Sequence, residues 1–139
     1  MNDAAFEALS TLLLTHAKVV RASDAKIGMH HGLSLSELVL LRAIGAKPEG
    51  KARPTELARE LHLSASGVTR ALLPLQKRGI VLREPDPADG RASYAALTNA
   101  GRELVGDASA TAAQAAERFM HRLSLGQTRQ MIRLLEEIG

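Results

Sequence analysis

Apolar residues recur along this chain mostly at helical spacing. From about Asp3 to His31, the positions Phe6, Leu9, Leu13, Ala17, Val20 and Ile27 fall largely on one helical face, with Lys18, Arg21 and Lys26 between them. A long amphipathic helix is expected, ending near Gly28 to Gly32. Ser34, followed three residues later by Glu37, reads as a capping box in which each side chain satisfies a free backbone N–H of the other. A second helix therefore starts there, turns Leu38, Leu41 and Ile44 inward and stops at Gly45, before a loop holding Pro48 and Gly50. Pro54 suits the first position of a third, short helix, where its missing N–H costs nothing, and Leu57, Ala58 and Leu61 supply the apolar face. Ser64 is the N-cap expected for a fourth helix, with Val68, Leu72 and Leu75 inward, running to about Arg78 and ended by Gly79.

The period then changes. Ile80 to Arg83 and Ser93 to Leu97 read as two short strands around the polar stretch Glu84 to Arg91, a β-hairpin. Thr98 caps an Ala-rich helix to about Arg122, and Ser124 with Gln127 forms a second capping box that opens a last helix to Ile138. The expected fold is mainly α with a small hairpin wing. Two short helices joined by a tight turn and followed by a hairpin describe a winged helix-turn-helix. Within it, Ala58 lies where the helices approach closely, and Leu61, Leu63 and Val68 are expected to fill the wedge between them. His62 occupies the turn, and histidine tolerates positive φ better than most residues. We divide the 139 residues into a DNA-binding lobe, residues 34–97, and a helical dimerisation region, residues 1–33 and 98–139.

Composition narrows the chemistry. The apolar 45% is aliphatic, with two Phe, one Tyr and no Trp, as suits packed helices. With no cysteine, disulfides, thiolate metal sites and thiol redox sensing are excluded. Net charge is +3, and its distribution is more telling: Lys51, Arg53, Arg59, Arg70, Lys77, Arg78 and Arg83 face only Glu56 and Glu60, a local surplus of five that favours an acidic partner. Leu12 to Leu14 is followed at once by Thr15, His16 and Lys18, and no run reaches the roughly 20 apolar residues of a bilayer span. A cytoplasmic protein with no membrane partner is expected.

The outward face of the fourth helix carries the candidate DNA contacts. Ser64 caps it, Ser66 and Gly67 leave its first turn slim, Thr69 can donate to phosphates or bases, Arg70 can reach guanine O6 and N7, and Lys77 lies further along. Ser66 can equally act in capping. Pro74 removes one helical hydrogen bond, and a local bend is expected there. At the hairpin tip, Arg91 is placed to enter the minor groove, with the Asp89 carboxylate two residues away expected to hold its guanidinium.

These residues together resemble the MarR family of bacterial regulators over essentially the whole chain. The matching segments are Glu56-Leu57-Ala58, Leu61-His62-Leu63-Ser64, Val68-Thr69-Arg70, Leu75, Lys77-Arg78-Gly79, Arg83, Asp86-Pro87, Asp89-Gly90-Arg91, Leu97-Thr98 and Gly101. The resemblance implies a homodimer on a palindromic operator in double-stranded DNA. It also implies a repressor relieved by a small organic effector, aromatic or anionic, in a pocket between dimer helices and DNA-binding lobe. Phe6, Leu9 and Leu13 at one end, and Phe119, Met120, Leu123, Leu125, Met131, Leu134, Leu135 and Ile138 at the other, exceed the needs of a small winged helix and suit an interface.

Other readings find less. No phosphate-binding Gly-rich loop, HExxH or Ser/His/Asp set supports an enzyme, and no cofactor is implied. His16, His30, His31, His62 and His121 could supply nitrogen ligands to a metal-responsive regulator, although adjacent His30 and His31 read more simply as solvated at a helix end. A winged helix used only for protein–protein contact has no need of the basic surplus or of Arg91.

Overall fold

The computed structural model describes residues 3–139 and contains six helices and a three-stranded sheet among them. Helix α1 spans Asp3–His31 and α2 spans Leu35–Gly45; a single 3-10 turn, Pro48–Gly50, leads to strand β1, Lys51–Ala52. Helices α3, Pro54–Glu60, and α4, Ala65–Lys77, precede strands β2, Val81–Asp86, and β3, Asp89–Leu97, and then helices α5, Asn99–Met120, and α6, Leu125–Ile138. The element types and order match the sequence reading, apart from three differences in and around the wing.

First, β1 was not anticipated. Two residues carry no alternation of their own, and they become a strand only because Lys51 and Ala52 pair antiparallel with Ala96 and Ala95. The sheet order is therefore β1-β3-β2. Second, β2 and β3 run further than expected, from Val81 opposite Leu97 out to Asp86 opposite Asp89, with a register irregularity at Pro85 and Asp86. The expected eight-residue turn shrinks to the pair Pro87-Ala88, because backbone pairing continues through residues whose side chains look turn-like. Third, Leu63 is exposed and does not fill the wedge between α3 and α4; Val68 is fully buried and Leu61 half-buried there.

The core lies in the middle of the chain. Ile27, Leu38, Leu41, Ile44, Leu57, Val68, Leu72 and Leu75 are buried together with Ile80, Val81, Ala95 and Leu97 of the sheet. Small residues of the Ala-rich helix, Ala108 and Ala115, are buried, and they let α5 lie close to α1. By contrast, α6 buries no residue, and in α1 only Ser23 and Ile27 are buried. Phe6, Leu9, Leu13, Leu134 and Ile138 are all more than half exposed.

Local signals set the helix ends. Both capping boxes form: Glu37 N donates to Ser34 Oγ and Ser34 N to Glu37 Oε1, each at 3.0 Å, and Ser124 and Gln127 repeat the pattern. Helix α3 ends with His62 at φ +53° and Leu63 N donating to the Ala58 carbonyl at 2.9 Å, a Schellman closure. Helix α4 ends in the same way, with Gly79 at φ +71° and Ile80 N donating to Leu75 O. Pro74 lies inside α4, which continues past it to Lys77. The proline is exposed, so the carbonyl of Arg70 that loses its helical donor is not sealed in the core.

Candidate nucleic-acid interface

Helix α4 starts from a tight cap. Ser64 Oγ accepts from Gly67 N at 3.0 Å and lies 3.2 Å from Ser66 Oγ. A Cβ on Gly67 would sit 3.0 Å from Ser64 Oγ, so glycine there keeps the cap unstrained as well as the first turn slim. Ser64 and Ser66 thus share the capping site while both remain exposed. The Thr69 hydroxyl donates to the Ala65 carbonyl at 3.1 Å, which leaves it free chiefly as an acceptor. Arg70, Leu73 and Lys77 are exposed along the same outward face.

At the wing tip the expected Asp89–Arg91 pairing takes a different form. Asp89 Oδ1 accepts from the backbone N–H of Arg91 at 3.0 Å and not from its guanidinium. The physical reason is the two-residue spacing, which suits an Asx turn to the backbone better than a reach around to a long side chain. Arg91 is exposed, with no acidic partner within ion-pair distance among the described residues.

The root of the wing holds a cluster that sequence reasoning missed. Asp86 is buried and forms an ion pair with Arg53, while its other oxygen accepts from Ala88 N at 2.9 Å. Arg53 also reaches Tyr94 Oη at 3.4 Å, and the Tyr94 ring has Lys51 Nζ and the Arg53 guanidinium each 5.2 Å from its centre. This cluster joins the start of α3 to both wing strands. Both cations titrate above their ordinary ranges: Lys51 mainly through its hydrogen bond to Glu49, Arg53 mainly through its bond to Tyr94. The one available sequence signal was an acid held between two prolines, Pro85-Asp86-Pro87, in the stretch read as a turn.

That cluster revises the count of basic residues. Lys51 pairs with Glu49 at 3.2 Å and Glu84 at 3.6 Å, Arg53 with Asp86, and Arg78 donates to backbone carbonyls. Glu60, counted as an opposing acid, pairs with Lys47. Arg59, Arg70, Lys77 and Arg83 are the counted cations that remain exposed with neither an acidic partner nor a carbonyl to donate to among the described residues, and Arg91 joins them from the wing.

Among the described residues no three His, Cys, Asp or Glu side chains gather closely enough to hold a metal ion. His31 is half-buried, with Nε2 2.7 Å from Thr111 Oγ1 of α5, rather than simply solvated as expected; His30 is exposed. A groove of about 330 Å³ lies between α1 and the α2–α3 region, lined by His16, Val19, Val20, Val39, Leu61 and Leu63 among others. No described helix is long and apolar enough to cross a membrane.

Comparison with known proteins places this arrangement. A MarR family model matches residues 31–92, from the end of α1 through the wing tip. The HTH-type transcriptional repressor Rv2887 of Mycobacterium tuberculosis is 34% identical over 108 residues, covering 78% of this chain and 76% of that protein. Among solved structures, a MarR family transcriptional regulator from Streptomyces coelicolor in complex with DNA superposes with a TM-score of 0.90 at 22% identity, over 99% of this chain and 87% of that one. The transcriptional regulator BldR from Sulfolobus solfataricus gives 0.88 at 18% identity, over 98% and 94%. These likenesses agree with the helix order, the wing and the helix-turn-helix found here. The chain belongs to the MarR family of transcriptional regulators, which are not enzymes.

Proposed function

We propose that this regulator binds a palindromic operator as a homodimer and represses transcription until a small organic ligand lowers its affinity for DNA. The observation that carries the reading is the outward face of α4 beside the wing tip: Ser66, Thr69, Arg70 and Lys77, with Arg91, are exposed, and the three cations have no acidic partner among the described residues. In this reading residues 34–97 form the DNA-binding lobe. Helix α4 enters the major groove, Arg70 pairs with guanine, Ser64 and Gly67 shape the approach of the first turn, and Arg91 enters the adjacent minor groove. Asp89 acts by holding the wing turn through the Arg91 backbone, not by steering the guanidinium. The protein works in the cytoplasm, where its operator lies.

Residues 1–33 and 98–139 supply the dimer. The apolar side chains of α1 and α6 support this assignment, since a groove of about 670 Å³ between them is lined by Leu9, Leu12, Met131, Leu134, Leu135 and Ile138, most of them exposed among the described residues. The groove beside His16 and Val39 lies between this region and the lobe, and its apolar walls with one imidazole suit an aromatic acid. Such a ligand shifts the protein only if it prefers one separation of the two α4 helices over the other. Selection of bound sequences from random duplex DNA tests the reading: a palindrome with two half-sites about one turn apart is expected, and a flat, sequence-independent outcome would instead favour a protein-interaction module.

A further inference from the structure

The C-terminal end of α4 is tied to α1 by one side chain. Arg78, the C-cap of α4, donates from Nη1 to the Gly32 carbonyl at 2.6 Å and from Nη2 to the His31 carbonyl at 3.2 Å. A helix leaves its last carbonyls without internal partners and carries partial negative charge there, so a planar cationic fork suits the end of α1. The acceptor side is shaped to the fork: Gly32 has φ +65°, and a Cβ on it would meet Arg78 Nη2 at 3.2 Å. A second tie lies just beyond α4, where Thr98 at the start of α5 donates from Oγ1 to the Gly79 carbonyl at 2.6 Å and from its backbone N to Ile80 O at 3.1 Å. Helices α1 and α5 are themselves linked by His31 and Thr111. The end of α4 therefore rests on two of the helices assigned above to the dimer.

We propose that Arg78 is a positioning residue whose fork on the α1 carbonyls fixes how α4 sits on the dimer helices, and so fixes the half-site spacing the protein accepts. The proposal rests on the reading of α4 as the recognition helix of a two-fold dimer. Apolar packing beneath α4 holds it against the lobe but is non-directional, whereas two hydrogen bonds at one end of a helix restrain its rotation. Adding one base pair between half-sites turns one of them by roughly 35° and moves it about 3.4 Å. An α4 anchored at Arg78 cannot follow that change; a released one can follow part of it.

The test uses the full chain with the selected palindrome and versions whose centre is one base pair longer or shorter, titrated at several salt concentrations. Wild type should bind the altered spacings at least about tenfold more weakly, comparable to one mismatched base pair. Arg78→Lys keeps the charge and loses the fork, while Gly32→Ala disturbs the acceptors without touching any charge. Both should narrow the ratio to about threefold, with the base preference inside each half-site and the salt slope unchanged. If folded Arg78→Lys keeps the wild-type ratio, the proposal is overturned and the residue is at most a phosphate contact. If both variants lose affinity equally at every spacing and melt lower, their role is structural and the proposal is likewise overturned. A wild type without any spacing preference would sink the dimeric-operator reading first, and the proposal with it.

Discussion

Gly101 and Gly106 lie on the same helix, α5, and replacing each with alanine should move stability in opposite directions. A Cβ on Gly101 would stand 2.1 Å from the Ile80 carbonyl oxygen and 3.1 Å from its carbon, and both of those are backbone atoms with no rotamer to escape into. The first turn of α5 must therefore retreat. That movement pulls on the Thr98 cap, which accepts from Gly101 N at 3.0 Å and donates to Gly79 O at 2.6 Å. Overpacking costs about 1–3 kcal/mol and a weakened cap adds about 1 kcal/mol, less the gain in helix propensity of about 1 kcal/mol. The net loss for Gly101→Ala is about 1–3 kcal/mol, or roughly 3–15 °C in melting temperature for a chain of this size. Gly106 meets nothing within 4 Å, so only the propensity gain applies there, and Gly106→Ala should stabilise by about 0.5–1 kcal/mol. Calorimetry of both variants at one matched protein concentration decides the matter, because assembly makes melting concentration-dependent. A Gly101→Ala protein melting as high as Gly106→Ala would refute the close packing of α5 on the Ile80 backbone.

His62 holds φ +53°, so His62→Val should cost about 1–2 kcal/mol and His62→Gly should be neutral or stabilising by denaturant unfolding, with equal losses from both counting against a strained turn. Asp89→Asn retains the acceptor for the Arg91 backbone N–H and should bind DNA nearly as wild type, whereas Asp89→Ala should bind more weakly; titrations in which Asn is as poor as Ala would argue for a charge effect instead. If the proposed dimer forms through α1 and α6, replacing Leu134, Leu135 and Ile138 together by polar residues should leave a monomer in sedimentation with the helical signal largely intact, because none of the three is buried in the chain, and a dimer that survives would move the interface elsewhere.

What could be read in advance depended on how local the cause was. The Ser34–Glu37 and Ser124–Gln127 boxes and the Gly79 stop are written within a few residues, and each forms as the spacing requires. The left-handed His62 was legible for the same reason. The site residues of α4 could be placed on its outward face because Val68, Leu72 and Leu75 mark the inward one. Strand β1, the Arg53–Asp86 pair and the Arg78 fork were not legible, since each joins segments more than thirty residues apart and exists only once the sheet or the helix ends have met. Counting charges along the chain therefore overstated the free cations. Asp89 was assigned to the wrong group on Arg91, because a two-residue separation allows either side chain or backbone, and backbone geometry wins in a turn.

In the proposed complex α4 reads bases while the wing adds affinity without reading them, and a salt series of operator titrations with Arg70→Ala and Arg91→Ala separates the two roles. Arg70→Ala should cost roughly 1–3 kcal/mol on the selected palindrome and relax the preference at one base pair in each half-site. Arg91→Ala should weaken binding to many sequences, lower the salt slope by about one and keep the palindrome. Unchanged affinity in both variants, or a uniform loss from Arg70→Ala with every base preference intact, would contradict the assignment of α4 as the reading helix.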